Sequence, residues 1–359
     1  MFHEMRNIGA GGTEGRRGVA ESVRRRLPPG WSADFGGTRL GGQGVLLLKA
    51  ADGRRAKLSI LSRKRVIPRE VPHLVQQFGD GAGQILLVAP FIGERSRQLL
   101  AESGVSYADG TGNLRLVVSN PAIFLEGQGA DRDPDQKPRN LRSLKGAAAG
   151  RVVRALCDFL PPYGVRTLAV ISSTPLGTVS RVVSFLEDEA LLARDAKKQI
   201  ASVDWAALIA RWARDYGVQT SNRLTAFLEP RGLAALAPKL ARLDRYCVTG
   251  SMAGPGIAPA RLAMVYVDDA ILAAQTLGLV PADAGANVWL LEPADGVVFE
   301  RTRKFAFGAS AKSVMLVAAA STQVAVDLMT SPGRGPQEAE ALIEKMRGSE
   351  DAWRWPSRP

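Results

Sequence analysis

A polar segment in the first half of the chain is the feature that most constrains the fold. Residues 127–139 contain glycine, proline, glutamine and charged residues but almost no apolar side chain, so the segment cannot join a hydrophobic core. The apolar residues on its two sides must therefore form separate cores, and 359 residues are enough for two or three domains. We predict a disordered leader at 1–18, a first domain at 19–126, a linker at 127–139, a second domain at 140–216, a third domain at 217–347 and a poorly ordered tail at 348–359.

The first and third domains both mix strand-like and helix-like patterns. In the first domain, a turn signal at 51–53 separates two strand-like runs, 45–49 and 57–61, which is typical of a β-hairpin. Helices at 68–78 and 94–103 then alternate with short strands. In the third domain we predict strands at 246–249, 263–267, 288–291 and 297–299, with helices at 231–236, 270–277, 322–329 and 336–346. The fold class that follows is an α/β multidomain protein.

Positive charge is concentrated in the first part of the chain. The whole chain carries a formal net charge of +12, and residues 1–149 alone hold 23 basic and 14 acidic residues. An excess localised in this way favours a polyanionic partner such as nucleic acid. We therefore predict that the first domain contacts the DNA backbone, and the candidate residues are Arg54, Arg55, Arg63, Lys64, Arg65 and Arg69.

The second domain carries the clearest functional pattern. A helix ended by Pro161-Pro162 precedes a short helix at 165–171, a turn at 172–174, and a helix at 175–190 that begins with Pro175. This last helix has apolar residues on one side, with glycine, hydroxyl groups and an arginine on the other, which suits close contact with a major groove. The candidate DNA-binding residues of the turn and helix are Ser173, Thr174, Gly177, Thr178, Ser180, Arg181 and Ser184.

Two short strands with a basic turn between them follow that helix. They are predicted at 191–194 and 200–203, and they add Arg194, Lys197 and Lys198 to the candidate DNA-binding residues. This order of parts resembles the winged helix-turn-helix of bacterial transcription regulators. The next helix, 204–216, has an aromatic and aliphatic stripe that we interpret as core, with Asp204 as its N-cap.

The first domain resembles degenerate restriction-endonuclease-like domains of the PD-(D/E)xK fold. A nuclease of that class needs carboxylates on two neighbouring strands to hold a metal ion and activate water. No carboxylate lies between Gly53 and Arg69, and Ser62 stands where a glutamate would precede Arg63-Lys64. The resemblance therefore implies a scaffold without nuclease activity.

Further segments resemble the AbiEi-type antitoxins of type IV toxin–antitoxin systems and their regulator relatives. They are Glu94–Leu100 with the stretch 104–114 in the first domain, and 231–233, 245–251, 265–269, 285–293 and 322–335 in the third. The resemblance implies an antitoxin or a related transcription regulator, with a cognate toxin protein as a partner in the antitoxin case. Within the stretch 104–114, we interpret the turn Asp109-Gly-Thr-Gly-Asn113 as structural.

Two other functions remain as alternatives. An antitoxin can act by protein binding alone. Gly250-Ser251 with Asp268-Asp269 loosely resembles the nucleotidyltransferase pattern, but adjacent carboxylates on a strand point in different directions, which disfavours that enzyme.

We therefore expect a sequence-specific regulator that binds double-stranded DNA, acts as a repressor and lies in the cytoplasm with the nucleoid. No catalytic residue, metal, cofactor or membrane contact is predicted, and the choice between monomer and homodimer stays open.

Overall fold

The computed structural model describes residues 19–37, 44–78, 84–131, 133–134, 143–254, 260–308 and 313–356. The chain divides into two compact units, one with residues 1–139 and 188–190 and the other with residues 140–187 and 191–359. Both mix helices with sheets, so the expected α/β class is confirmed at that level. The predicted leader lies outside the described residues, as do positions 132 and 135–139 of the predicted linker.

The first unit is built on one seven-stranded mixed sheet whose strands are ordered as in the sequence. The outer pairs are antiparallel, whereas the central three strands are parallel. Parallel neighbours need a crossover connection, and the helices α2 and α3 provide the two crossovers. The elements are α1 (19–26), β1 (Ser32–Gly37), β2 (Gly44–Lys49), β3 (Arg55–Ser62), α2 (Val71–Phe78), β4 (Ile85–Ala89), α3 (Glu94–Glu102), β5 (Ser106–Asp109), β6 (Leu114–Ser119) and β7 (Ala122–Gly127).

Each face of this sheet has its own core, because side chains alternate along a strand. Val19 and Val23 of α1 pack with strand residues such as Leu46 on one face. Leu100 of α3 packs with Leu87 of β4 on the other. The predicted hairpin is present as β2 and β3, which pair in antiparallel fashion. The edge strands β1 and β7 were not predicted.

The Asp109–Asn113 turn is held by several hydrogen bonds to one buried carboxylate. The Asp109 carboxylate accepts hydrogen bonds from Thr111 N (2.9 Å), Asn113 N (3.1 Å) and Ile92 N (3.0 Å), and from the Thr111 hydroxyl and the Asn113 amide. Asn113 also accepts from Gly129 N at 2.9 Å. The start of the predicted linker is therefore bonded to the first unit, and the interpretation of the turn as structural is confirmed.

The second unit consists of helices and a second seven-stranded mixed sheet. Its helices are α4 (Ala147–Asp158), α5 (Val165–Ile171), α6 (Leu176–Asp188), α7 (Trp205–Ala213), α8 (Leu233–Lys239), α9 (Ala270–Leu277), α10 (Ser321–Met329) and α11 (Gly335–Arg347). Its strands are β8 (Phe159–Leu160), β9 (Leu192–Arg194), β10 (Ile200–Val203), β11 (Asn222–Leu228), β12 (Cys247–Thr249), β13 (Ala263–Tyr266), β14 (Val280–Pro281), β15 (Val288–Pro293), β16 (Arg303–Phe307), β17 (Val314–Ala318) and β18 (Trp355–Pro356). The seven-stranded sheet is ordered β14-β11-β15-β13-β12-β17-β16.

A single hydrophobic core extends across the position where a boundary at 216/217 was predicted. It runs from Leu144 to Met346 and includes the stripe of α7, in which Trp205, Leu208 and Trp212 are buried. The prediction that this stripe is core is confirmed. The segments predicted as separate second and third domains thus share one core, because α7 packs on α4 and α10.

A buried polar network reinforces that junction. The carboxylate of Asp327, on α10, accepts hydrogen bonds from Tyr216 OH (2.7 Å) and Thr249 Oγ1 (2.6 Å), and also from Gln323 and Tyr266. Burial raises the pKa of Asp327 to about 6 although four hydrogen-bond donors favour its charged form. The network joins the end of α7 to the sheet and to α10.

The strand predicted at 297–299 is wrong. Residues 297–299, predicted as a strand, belong to the 3-10 helix Gly296–Phe299, because the Asp295 carboxylate caps it by accepting from Val297 N at 3.0 Å.

The tail, predicted to be poorly ordered, is bound as far as it is described. Trp355–Pro356 pairs in parallel with Phe159–Leu160, and the buried Arg354 donates to Cys157 O and Phe159 O, both at 2.9 Å.

Among the described residues, no single helix is long and apolar enough to span a membrane. Helices α5 and α6 pass that test only when they are joined, and they are bent by 115°.

Candidate nucleic-acid interface

Helices α5 and α6 meet at a sharp angle across a short turn, residues 172–175. The bend between them is 115°. The turn is held locally, since Ser172 Oγ donates to Leu168 O at 2.7 Å and Thr174 Oγ1 donates to Ser172 O at 2.9 Å. Ser173, between them, takes a positive φ of 46° and is exposed. These contacts fix the direction in which α6 leaves the turn.

Thr174 is a correction to the predicted set of DNA-binding residues. It is only 5% exposed, because its hydroxyl is bonded to Ser172 O and also accepts from Arg151 Nε at 3.4 Å. A side chain enclosed in this way cannot touch a ligand outside the protein. Thr174 therefore shapes the turn instead of presenting a contact.

Helix α6 has a buried side and an open side. Val179, Val182, Val183 and Leu186 are fully buried. On the other side Gly177, Ser180, Arg181 and Ser184 are exposed, and Thr178 is half-buried. A Cβ placed on Gly177 would meet no atom within 4 Å. The predicted division of the helix into two faces is confirmed, so five of the predicted residues lie on one accessible surface.

The guanidinium of Arg181 lies along the first turns of that surface. Its Nε donates to Gly177 O at 3.2 Å, and Nη2 donates to Thr178 Oγ1 at 3.3 Å. These are contacts within one exposed helix, so a ligand with strong acceptors can replace them. The charge is therefore available at the amino-terminal half of α6.

Strands β9 and β10 form a two-stranded antiparallel sheet after α6. The carboxylate of Asp195 accepts from Lys197 N and Gln199 N, each at 2.9 Å, and Lys198 has a φ of 63°. This tight turn leaves the side chains of Lys197 and Lys198 exposed at its tip. The tip is therefore a small positive projection beside α6.

Arg194 has a different environment from the two lysines. Its Nη2 lies 2.8 Å from Glu187 Oε2 and donates to Ser184 Oγ at 3.4 Å, and the side chain is 20% exposed. The ion pair neutralises its charge and connects β9 to α6. Arg194 thus positions the two-stranded sheet against the helix.

The basic residues predicted in the first unit form two groups. Arg54 and Arg55 lie at the beginning of β3, and Arg54 pairs with Asp52 at 2.7 Å. Arg63, Lys64, Arg65 and Arg69 follow the end of that strand, and all of these except the half-buried Arg63 are exposed. Eight strand residues span roughly 26 Å. The two groups are therefore separate patches.

Sequence reasoning missed two exposed residues of β2 next to the first patch, Lys49 and Leu47. Lys49 is paired in register with Arg55, and Leu47 with Lys57, on the exposed side of β2 and β3. The alternation of β2 was the available signal, since every second residue is buried. On α5, Val170 is 79% exposed although it lies in an apolar run; no local signal distinguished it.

The acidic residues of the nucleotidyltransferase alternative are not brought together. Asp268 pairs with Arg245, whose Nε donates to it at 2.9 Å. Asp269 instead caps α9 by accepting from Leu272 N at 2.9 Å. Across the part of the chain that the structure describes, no group of three His, Cys, Asp or Glu side chains is arranged to hold a metal ion.

No protein-family model, curated protein or solved structure matches this chain. The resemblances to AbiEi-type antitoxins and to endonuclease-like domains therefore stay predictions.

Proposed function

We propose that this protein is a sequence-specific regulator that binds double-stranded DNA through a winged helix-turn-helix formed by residues 147–213. The observation that carries the proposal is the arrangement of α5 and α6. Their 115° bend across a four-residue turn lies within the range of about 90–120° for DNA-binding helix-turn-helix pairs. The accessible surface of α6 and the basic turn after it are the two further parts that such a module needs.

Helix α6 is the proposed recognition helix. Small side chains at Gly177, Ser180 and Ser184 permit close approach to a major groove, and hydroxyl groups bind phosphates or base edges. Arg181 has the forked guanidinium that pairs with O6 and N7 of guanine. The exposed Leu176, 47% accessible at the start of α6, supplies an apolar group for a thymine methyl.

The β9–β10 sheet is the proposed wing. Lys197 and Lys198, at its tip, are placed to meet phosphates, and the Arg194–Glu187 pair holds the wing at a fixed distance from α6. Phosphate contacts of this kind raise affinity for all sequences and make binding salt-dependent.

The first unit is proposed to add backbone contacts without cleaving DNA. The support is its exposed basic residues, which include Lys57 of the same basic run and now Lys49, together with the absence of carboxylates on β3. We propose repression as the mode of regulation, because a protein that occupies an operator blocks other proteins from it. Membership of the AbiEi-type antitoxin and regulator family, and a cognate toxin as partner, belong to the same proposal.

The test is selection of bound DNA from a random pool, followed by affinity measurements on the selected site. Arg181→Ala is expected to lose about 1–3 kcal/mol on that site and to relax specificity at one position. Arg223→Ala is the matched control, since it removes the same charge from an 81% exposed side chain on β11.

Three outcomes would count against the proposal. Failure to enrich any sequence would contradict sequence-specific binding, and would favour an antitoxin that acts by protein binding. Equal losses for Arg181→Ala and Arg223→Ala would remove α6 from the interface. Equal losses on selected and random DNA would show that Arg181 contacts only phosphate.

A further inference from the structure

The second unit contains a cavity of about 370 Å³ that the DNA-binding proposal does not use. It lies between the start of α4, the end of α7, residues 294–298 and Gln323 of α10. Pockets that hold small molecules begin at about 300 Å³. The volume is therefore sufficient for one small organic molecule.

Aromatic and apolar side chains form one wall of the cavity. Trp212 is buried, and its ring centroid lies 5.0 Å from that of Tyr216. Val297 and Val298 line the same space. Gly150 also lines the space, and an added Cβ there would be 3.5 Å from Cζ2 of Trp212. The glycine therefore adds no side chain to the cavity beside the Trp212 ring.

The carboxylates that line the cavity are already neutralised. Asp215 pairs with Arg211 at 2.7 Å and accepts from Leu144 N at 2.8 Å. Asp295 pairs with Arg151 at 2.7 Å. Neither therefore offers a free negative charge to a cationic ligand.

Lys145 gives the mouth of the cavity a positive charge. The residue is exposed, and its ammonium group has no carboxylate partner among the residues that the structure describes. Helix α4 begins at Ala147, and its N-cap residue Gly146 lies next to Lys145; the helix has no side-chain cap and no acidic residue in its first turn. Its partial positive charge adds to that of Lys145. The cavity thus combines an aromatic wall with a positive rim.

We infer that this cavity binds a small aromatic carboxylate. The ring of the ligand lies against Trp212 beside Gly150, and its carboxylate faces Lys145. Asn222 and Gln323 also line the cavity, but their amide nitrogens already donate to Val218 O at 2.8 Å and to Asp327 Oδ1 at 2.9 Å, so the ring and the carboxylate of the ligand carry the binding.

A ligand here contacts both the proposed DNA-binding module and the sheet that supports it. Gln323, on α10, lines the cavity and accepts a hydrogen bond from Arg154 of α4 at 3.1 Å. Arg154 also donates to Val297 O at 3.3 Å. The occupant therefore acts as an effector of DNA binding, a conclusion that rests on the proposed function.

Two probes of matched shape test the binding site. Calorimetric titration of the full chain with 2-naphthoate is expected to show saturable binding, and 2-naphthamide, which lacks the charge, is expected to bind about tenfold more weakly. Lys145→Gln should remove this difference. Lys304→Gln, which removes an exposed lysine from β16, should preserve it.

A second variant reports on the aromatic wall. Gly150→Ala introduces a methyl group at ordinary contact distance from Trp212 and favours the helix, so the protein is expected to fold with an unchanged or higher Tm. Its affinity for 2-naphthoate is expected to fall several-fold. Absence of saturable 2-naphthoate binding to the wild-type chain would overturn the inference. So would equal affinities for the two probes, or full affinity in both Lys145→Gln and Gly150→Ala.

A separate measurement addresses the effector role. The affinity for the selected DNA is compared with and without saturating 2-naphthoate, and a change of at least threefold is expected, with a reciprocal change in 2-naphthoate affinity. An unchanged DNA affinity would remove the effector role and leave the binding site standing. If no DNA is bound at all, the calorimetric result still decides the binding site, so the two failures are distinguishable.

Discussion

Arg354 provides the most demanding stability test of the bound tail. Its side chain is 4% exposed. Its Nε donates to Cys157 O and Nη2 donates to Phe159 O, both at 2.9 Å, where α4 ends and β8 begins. A net contribution of about 1.5–3 kcal/mol is typical of a hydrogen bond to a charged group. The charge also faces the negative end of the helix dipole. Arg354→Met keeps an unbranched apolar chain but leaves these carbonyls without their donor.

We expect Arg354→Met to lower the free energy of unfolding of the second unit by about 3–5 kcal/mol. For a unit of this size, that corresponds to a Tm lower by roughly 10 °C. Urea unfolding followed by tryptophan fluorescence measures the loss, because Trp31 is the only one of the six tryptophans in the first unit.

Arg347→Met is the control, since Arg347 is 56% exposed and pairs on the surface of α11. Its expected cost is within about 0.5 kcal/mol. If Arg354→Met costs no more than Arg347→Met, the tail does not hold the end of α4 and the reasoning fails.

Three further predictions concern charge. Burial raises the pKa of Asp327 to about 6 from 3.8, so the folded state holds this proton more tightly than the unfolded chain does. The contribution of this group to stability is therefore fully present below about pH 4 and falls by about 3 kcal/mol as pH rises through 6. Asp327→Asn should abolish that part of the pH profile of the free energy of unfolding. Asp109→Ala is expected to destabilise the first unit by about 3 kcal/mol or more, because the groups that donate to this carboxylate would be left unsatisfied. Faster hydrogen exchange of the backbone amides at 105–118 would show the loss, and unchanged exchange would contradict the structural role of the turn. Replacing Lys197 and Lys198 with alanine should lower the salt slope of DNA binding by about 1–2, and an unchanged slope would exclude the wing from the interface.

Local patterns in the sequence were sufficient for many individual elements. The helix Ala270–Leu277 was predicted with its observed bounds, and Asp204 does cap α7 by accepting from Ala207 N at 3.1 Å. The β2–β3 hairpin and the two faces of α6 were also predicted. Each of these elements depends on residues that are close together in the sequence. Apolar periodicity, caps and turn residues are therefore enough to specify them.

Features that depend on residues far apart in the sequence became visible only in the folded chain. Thr174 was expected on the surface, but the turn and Arg151 enclose it. The tail was expected to be poorly ordered, yet Arg354 bonds to carbonyls nearly two hundred residues away in the sequence. The boundary at 216/217 was expected from the change of pattern, whereas Tyr216 bonds to Asp327 of α10. The cavity beside Trp212 likewise has walls from four segments of the chain. Local propensity determines which elements form, but burial and the pairing of polar groups depend on which elements meet, and a single sequence does not record that.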